Sequence, residues 1–349
     1  MKRILISEAG GAPSINVVKS IRAMKEPVYL IGISSDKYLL ALSDVDEKYL
    51  VPMVKDSLFL PVLKEIIKKT QPDMIFSQND EVIEVLSRER KKIDSKLFLP
   101  KHRTILLCHD KFASYQSWKE AKLSVPQTEL IKSPEDLKKA FRNFGPKVWI
   151  RSTKGWSGEG AICTEDYAFA RLWIQYYQGW GKFTAAEYLS PISVTWMSIW
   201  YKGDLVVAQG RRRIEWRFGH HSISGITGQT GVAVTISDKK VDEVAQRAIF
   251  AIDKRPHGIF SVDMALDSKK IPNPTEINIG RFFATSYFFT TGGVNMAEVV
   301  IKILLEGKTP VFKKKVNPLK PGLVWIRQID VEPKIFREEE LRKIIIPFS

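Results

Sequence analysis

The chain is nearly without cysteine. Cys108 and Cys163 are the only two, both in apolar surroundings. That excludes a disulfide framework and any cysteine-based zinc cluster, and both read as small core residues. Long apolar runs are also missing, with nothing near the ~20 residues that span a bilayer. Met1-Lys2-Arg3 is followed by three apolar residues before Ser7 and Glu8, too few for a secretory signal. These absences predict a soluble, cytoplasmic protein with no membrane partner. A dinucleotide turn with three spaced glycines is absent as well. Gly10 and Gly11 stand side by side, which argues against a nicotinamide cofactor. No RNA-binding aromatic motif, zinc finger or basic helix accompanies the formal net charge of +15, so nucleic acid is an unlikely partner. Most of that charge reads as solvated surface; some of it suits an anionic ligand.

What is present is globular. The 349 residues are 44% hydrophobic and 27% charged, a length that suits roughly two or three domains. Residues 3–7 read as a buried strand, followed by the Gly-Gly turn and a helix carrying Val17, Val18, Ile21 and Met24. Further strands at 28–33 and 74–77, each leading toward a helix, predict a parallel sheet over about 1–105. Ligands bind such sheets beyond the carboxyl ends of the strands, and those ends carry Glu8, Asp80 and Glu81. Residues 134–144 read as a helix and 147–152 as a strand, and 183–280 is rich in strands. The lysine-rich stretch 308–320 reads as an exposed connector to a short C-terminal piece.

Three segments carry chemistry. In residues 258–266 strand alternation places Ser261, Asp263 and Ala265 on one face. Pro272 and Pro274 read as bracketing a turn, after which Glu276 and Asn278 share a face. If the two strands pair as a hairpin, Asp263, Glu276 and Asn278 converge into an all-oxygen set suited to Mg²⁺ bridging phosphates. The second segment places Arg151 just before a glycine-rich loop, residues 153–161, with Lys154, Gly155, Gly158 and Gly160. Glycines let backbone N–H groups approach phosphate oxygens, and the two cations add charge. The third is Glu187-Tyr188-Leu189, an extended segment whose backbone can pair with an adenine edge.

The order of these segments resembles the ATP-grasp superfamily, in particular its carbamoyl-phosphate-synthetase-like branch. Asp110-Lys111 precedes a helix, Arg151 precedes the glycine loop, then come Glu187-Tyr188-Leu189, Asp263, and Glu276-Ile277-Asn278 with Arg281. Thr290-Thr-Gly-Gly-Val-Asn295 lies downstream. The resemblance covers about residues 1–310. It implies an α/β and α+β architecture: a Rossmann-like parallel sheet over 1–105, then two ATP-grasp subdomains over 106–184 and 185–310; 311–349 reads as a basic connector and C-terminal segment. It implies ATP and Mg²⁺ as cofactors, with Lys111, Arg151, Lys154, Gly158 and Gly160 on the phosphates. Glu187 and Leu189 would take the adenine, Asp263, Glu276 and Asn278 the metal. Arg281, with Arg213 and Arg151, would meet the transferred phosphate or the acyl-phosphate. The sequence departs from the family at Ser193, where an acidic ribose-binding residue is usual, and at Asn278-Ile-Gly-Arg281, where the family has Asn-Pro-Arg.

The activity so implied is ADP-forming ligation of a carboxylate to an amine. The alternative is a non-catalytic nucleotide sensor or a subunit of a larger synthetase. Gly210-Arg211-Arg212-Arg213 through Arg217, His220, His221, Thr227, Gly228 and Thr230 reads as a mobile loop over a phosphate-rich site. Glu8, Asp80 and Glu81 on one wall and Arg211, Arg213, Arg217 and Arg281 on the other predict a zwitterionic, amino-acid-like substrate. A homo-oligomer is possible.

Overall fold

The computed structural model describes all residues except 156, 157, 159, 226–228, 330 and 341–349. Thr227 and Gly228 of the expected mobile loop, and three positions of the glycine-rich loop, therefore lie outside the described residues. Among those described, no helix is long and apolar enough to cross a membrane.

The chain starts with β1 (Lys2–Ser7), α1 (Ala12–Arg22), β2 (Val28–Ser34), α2 (Lys37–Ala41), β3 (Glu47–Leu50), α3 (Phe59–Thr70), β4 (Met74–Phe76), α4 (Asp80–Arg88) and β5 (Lys96–Leu97). Its strands make a parallel sheet in the order β3-β2-β1-β4-β5. β1 is a continuous apolar run because both of its faces are covered. Ile4 and Ile6 join the cluster of Val17 and Ile21 on α1, whereas Leu5 joins that of Leu63 and Ile83 on the other side. Each such burial contributes about 1.5–3 kcal/mol. The paired glycines serve packing. A Cβ at Gly10 would sit 1.7 Å from the Leu39 carbonyl oxygen, so only glycine lets the turn lie against α2.

Two helices, α5 (His102–His109) and α6 (Lys111–Glu120), lead into β6 (Thr128–Ile131), α7 (Pro134–Phe144), β7 (Val148–Ser152), β8 (Ile162–Thr164), α8 (Tyr167–Tyr176) and β9 (Phe183–Glu187). The strands form a small antiparallel sheet, β6-β9-β7-β8, over its own core of Ile131, Leu137, Ile150 and Ile174. The expected boundary at residue 105 cuts through α5. That helix packs with the C-terminal half of the chain, since Thr104 donates a hydrogen bond to buried Asp253 at 2.9 Å.

The remaining elements are β10 (Ser193–Tyr201), β11 (Asp204–Trp216), β12 (Thr230–Ile236), α9 (Lys239–Ile252), β13 (Gly258–Leu266), β14 (Pro272–Ile279), α10 (Tyr287–Thr291), α11 (Met296–Glu306), β15 (Leu323–Gln328) and β16 (Val331–Arg337). They build an antiparallel sheet in the order β14-β13-β10-β11-β12-β15-β16.

Three expectations change here. The C-terminal segment after the connector is part of the large sheet, because β15 pairs with β12 and extends it. Pro272 and Pro274 lie within β14 rather than flanking a turn. β14 is an edge strand, where a missing N–H breaks no ladder. The arginine run is also strand, not loop: β11 continues through Gly210 to Trp216, paired to β10 on one side and β12 on the other. Pairing on both sides satisfies its backbone, and alternation lets Arg212 reach solvent while Arg211 turns inward.

Candidate active site

The carboxyl ends of the parallel strands face the large sheet across a cleft of ≈ 410 Å³. Glu8, Asp80, Gly158, Arg211, Arg213, Asp263, Glu276, Asn278 and Arg281 all line it. A smaller adjoining cavity of ≈ 210 Å³ shares Asp80, Glu276 and Asn278 and adds Glu81, Glu84, His109, Lys111 and Lys154. Most of the residues singled out from sequence are thus gathered around one site.

The hairpin of β13 and β14 supplies the acids. Asp263 stands opposite Glu276, and Ser261 opposite Asn278. A register irregularity after Asp263 brings Met264 to face Pro274. Asn278 Nδ2 donates to Asp263 Oδ2 at 3.1 Å, and Thr195 Oγ1 donates to Asp263 Oδ1 at 2.5 Å. Glu276 has no hydrogen bond or ion pair among the described residues, so both its oxygens are available. Among the described residues no three His, Cys, Asp or Glu side chains form a metal cage. The site offers two carboxylates and an amide, the incomplete set that magnesium accepts when phosphates supply further oxygens.

Cations surround these acids. Asp110 caps α6 by accepting from Phe112 N and Ala113 N, both at 3.0 Å, so that the helix begins at Lys111. Such a cap contributes about 1 kcal/mol. Lys111 Nζ donates to Gly155 O at 2.6 Å, tying α6 to the glycine-rich loop. Burial lowers its pKa, opposed by Glu276. Arg151, on β7, donates from Nη2 to Thr275 O at 2.7 Å and thereby bridges the small sheet to β14. Gly155, Gly158 and Gly160 all have positive φ (113°, 76° and 69°), the conformation that glycine tolerates best.

β11 presents Arg211 and Arg213. Arg213 donates to Thr230 Oγ1 at 2.9 Å and to Ser193 Oγ at 2.7 Å, lies 3.7 Å from Asp263, and stacks over Trp216 at 3.8 Å. Ser193 thus serves as an acceptor for this guanidinium. Arg211 is 2% exposed and lies 3.8 Å over the Phe283 ring. Its Nη1 donates to Thr285 Oγ1 at 2.6 Å, but its Nε has no partner and no carboxylate pairs with it among the described residues. Burial and then the neighbouring Arg213 push its pKa well below the usual arginine range. A guanidinium under that pressure is set up to receive an anion.

The expected separation of acids and arginines onto opposite walls holds only in part. Arg281 donates to Asp80 from Nε at 2.5 Å and from Nη2 at 2.9 Å, and also reaches Asn278 Oδ1 at 2.6 Å. Burial disfavours both charges, yet the partner overrides it: Asp80 is held below, and Arg281 above, its ordinary pKa. Glu81 turns to Lys55 at 3.0 Å. Arg217 faces a neighbouring cavity beside Tyr287 and Arg327, and its Nη2 donates to Arg327 O at 2.7 Å. His220 and His221 occupy a short helical turn with rings 4.0 Å apart.

Glu187 and Leu189 join the small sheet to the large one. The Glu187 N–H donates to Gln127 O at 3.0 Å, whereas no hydrogen bond among the described residues uses the Leu189 N–H. Sequence reasoning missed His109, whose Nδ1 lies 3.3 Å from Glu84 and Nε2 3.9 Å from Asp80. It also missed Gln78, which accepts from Phe282 N at 3.0 Å and fixes the chain beside Arg281, just past the end of β14. The adjacency of His109 to Asp110-Lys111 was the one available signal; Gln78 had none.

Comparison with known proteins agrees with this architecture. Residues 4–97 match the family model described as PylC-like, N-terminal domain. No curated protein matches the sequence. Among solved structures, a biotin carboxylase–β-γ-ATP complex from Campylobacter jejuni aligns with TM-score 0.71 at 17% identity, covering 93% of this chain and 75% of that one. The biotin carboxylase domain dimer of a 2-oxoglutarate carboxylase from Hydrogenobacter thermophilus, with MgADP, ADP and bicarbonate, gives 0.72 at 15%, covering 93% and 73%. An L-amino acid ligase from Bacillus licheniformis gives 0.69 at 11%, covering 93% and 79%. The fold is therefore the ATP-grasp fold preceded by its α/β domain.

Proposed function

We propose that the chain is an ADP-forming ligase that uses ATP to phosphorylate a carboxylate and joins the acyl group to an amine, on an amino-acid-like small molecule. The observation that carries this reading is the meeting of Asp263, Glu276 and Asn278 with Lys111, Arg151, Arg213 and Arg281 between three sheets. Asp80 already neutralises Arg281, so two carboxylates face the three cations Lys111, Arg151 and Arg213, and the remaining positive charge suits a polyphosphate.

Lys111 and Arg151 hold the phosphates from two different elements, and Lys154 with the backbone at Gly158 and Gly160 covers them. The chain at Glu187–Leu189 takes adenine, with the Leu189 N–H as donor. Asp263, Glu276 and Asn278 fit Mg²⁺, since all three offer hard oxygens. Asn278 Oδ1 already accepts from Arg281 and keeps a second lone pair. Held by these residues, magnesium would supply neutralisation of phosphate charge. Arg281 and Arg213 face the transferred phosphoryl group, and Arg211 holds a substrate carboxylate by charge-assisted hydrogen bonds. Arg217 lines the neighbouring cavity beside Arg327 and is assigned to a distal part of the substrate. No side-chain nucleophile is required.

Of the named structures, one holds β-γ-ATP, one holds MgADP, ADP and bicarbonate, and one is an L-amino acid ligase, which supports this reading. A homo-oligomer is the expected assembly, as for the dimeric relative. Incubation with ATP, Mg²⁺ and pooled amino acids should release ADP and phosphate. Release of AMP and pyrophosphate would refute the reading.

A further inference from the structure

Four carboxylates line the main cleft: Glu8, Asp80, Asp263 and Glu276. Three of them sit among cations. Asp80 is bound by Arg281, Asp263 lies 3.7 Å from Arg213, and Glu276 interacts with Lys111. Glu8, like Glu276, has no ion pair among the described residues, but unlike Glu276 it has no cation acting on its carboxyl. Its neighbours are Ser34, whose Oγ donates to Glu8 Oε2 at 3.0 Å, the Ser35 backbone, and Asp36, itself an acid that caps α2. The turn into α1 contributes no charged side chain, since residues 9–14 are Ala, Gly, Gly, Ala, Pro and Ser.

The backbone at Glu8 is also unusual. Its φ is 47°, the left-handed region that a residue with a side chain enters at a cost of about 1–2 kcal/mol. The Gly11 N–H donates to Glu8 O at 2.8 Å and locks the turn. Local strain of this kind persists where the surrounding structure enforces it, and here it directs a carboxylate into the cleft.

We propose that Glu8 is the catalytic base for the acceptor: it receives the substrate ammonium in the cleft and takes its proton. This inference rests on the ligase reading and names the residue that acts on the nucleophile. The ammonium gives one proton to the Glu8 carboxylate. The nitrogen lone pair then forms the C–N bond to the acyl carbon, and the C–O bond to phosphate breaks with its electron pair leaving on phosphate. The second proton lost from nitrogen goes to that phosphate, and Glu8 returns its own to solvent. Burial, against the opposing hydrogen bonds from Ser34 and Ser35, raises the Glu8 pKa and brings its basicity nearer to that of an amine.

Hydroxylamine tests this, because it is an amine already neutral near neutral pH and needs no base. Wild-type protein and Glu8→Gln are incubated with ATP, Mg²⁺ and pooled amino acids, with and without hydroxylamine, and amide and hydroxamate products are measured. Glutamine keeps the acceptor oxygen for Ser34 and the side-chain shape. The ratio of amide to hydroxamate should fall about 10²-fold in Glu8→Gln, the lower range for loss of a general base. Glu8→Asp should recover part of it. An unchanged ratio, whether both products persist or both fall together, overturns the role of Glu8 and leaves the ligase reading standing. A wild-type chain that forms neither product overturns the ligase reading and this inference with it.

Discussion

Asp80 and Arg281 stand 201 residues apart in sequence and form a two-pronged ion pair, at 2.5 and 2.9 Å, between the parallel sheet and the end of β14. The pair does two things. It fixes the parallel sheet against the β13–β14 hairpin, and it aims Arg281 so that its Nη2 also reaches Asn278. The side chains keep 14% and 20% of their exposure, so both charges are largely removed from water. Asp80→Asn leaves the guanidinium uncompensated. A stability loss of about 3 kcal/mol is expected in denaturant titrations, the lower end for a broken buried pair.

The same pair sets a pH dependence. The folded pKa of Asp80 lies below its ordinary value of 3.8. Its stabilisation is therefore fully present above about pH 4 and is lost as pH falls through the depressed folded value. Urea midpoints measured from pH 5 downward should drop more steeply for the wild-type chain than for Asp80→Asn. Parallel curves would show that the pair does not contribute in this way.

Glu276→Gln separates chemistry from structure. Because Glu276 makes no hydrogen bond or ion pair among the described residues, the change should move stability by no more than about 0.5 kcal/mol. ATP turnover should fall about 10²-fold or more, since a metal-held charge contributes several kcal/mol in the transition state. Higher Mg²⁺ should recover part of that loss, and excess chelator should abolish turnover in the wild-type chain. Full activity of the variant at limiting Mg²⁺ would remove Glu276 from the metal set.

The two glycines after Glu8 make a contrasting pair. A Cβ at Gly10 would collide with the Leu39 backbone, whereas at Gly11 the nearest atom is 3.2 Å away. Gly10→Ala should destabilise by about 3 kcal/mol, since backbone must shift, and Gly11→Ala by less than about 1 kcal/mol. Thermal melts of the two variants decide it.

Legibility in the sequence depends on the range of each interaction. Asp263, Glu276 and Asn278 are readable because strand alternation and a short turn are local rules. Lys111 and Arg151 are placed by motif order. The Asp80–Arg281 pair is not readable, because it depends on how two domains dock. β11 is hidden beyond Gln209 because three consecutive arginines look solvated, yet two of them sit against Phe283 and Trp216, where aromatic rings cover the guanidinium faces. β15 is hidden because its strand signal comes after a proline- and lysine-rich connector, and only its pairing with β12 gives it a place.

Arg211 yields a prediction in which stability and activity move apart. The side chain is 2% exposed, with one hydroxyl partner and no carboxylate among the described residues. Burial and the neighbouring Arg213 oppose its charge, and the Asp263 carboxylate offsets this only in part. Replacing it by methionine, similar in reach and apolar, removes that cost, at the loss of the Thr285 bond and of stacking on Phe283. Replacing buried charge by apolar groups is often neutral or stabilising. Arg211→Met should therefore melt at the wild-type temperature or above it. Its KM for the carboxylate substrate should rise about 30- to 100-fold, the ~2–3 kcal/mol of a charge-assisted hydrogen bond. Calorimetric titration with ATP should give an affinity within about threefold of wild type, because the proposed function assigns the phosphates to Lys111 and Arg151. A variant that loses stability while keeping its carboxylate KM would mean that Arg211 is a structural arginine satisfied by Thr285 and Phe283. The cleft's anion would then have to be held by Arg213 and Arg281.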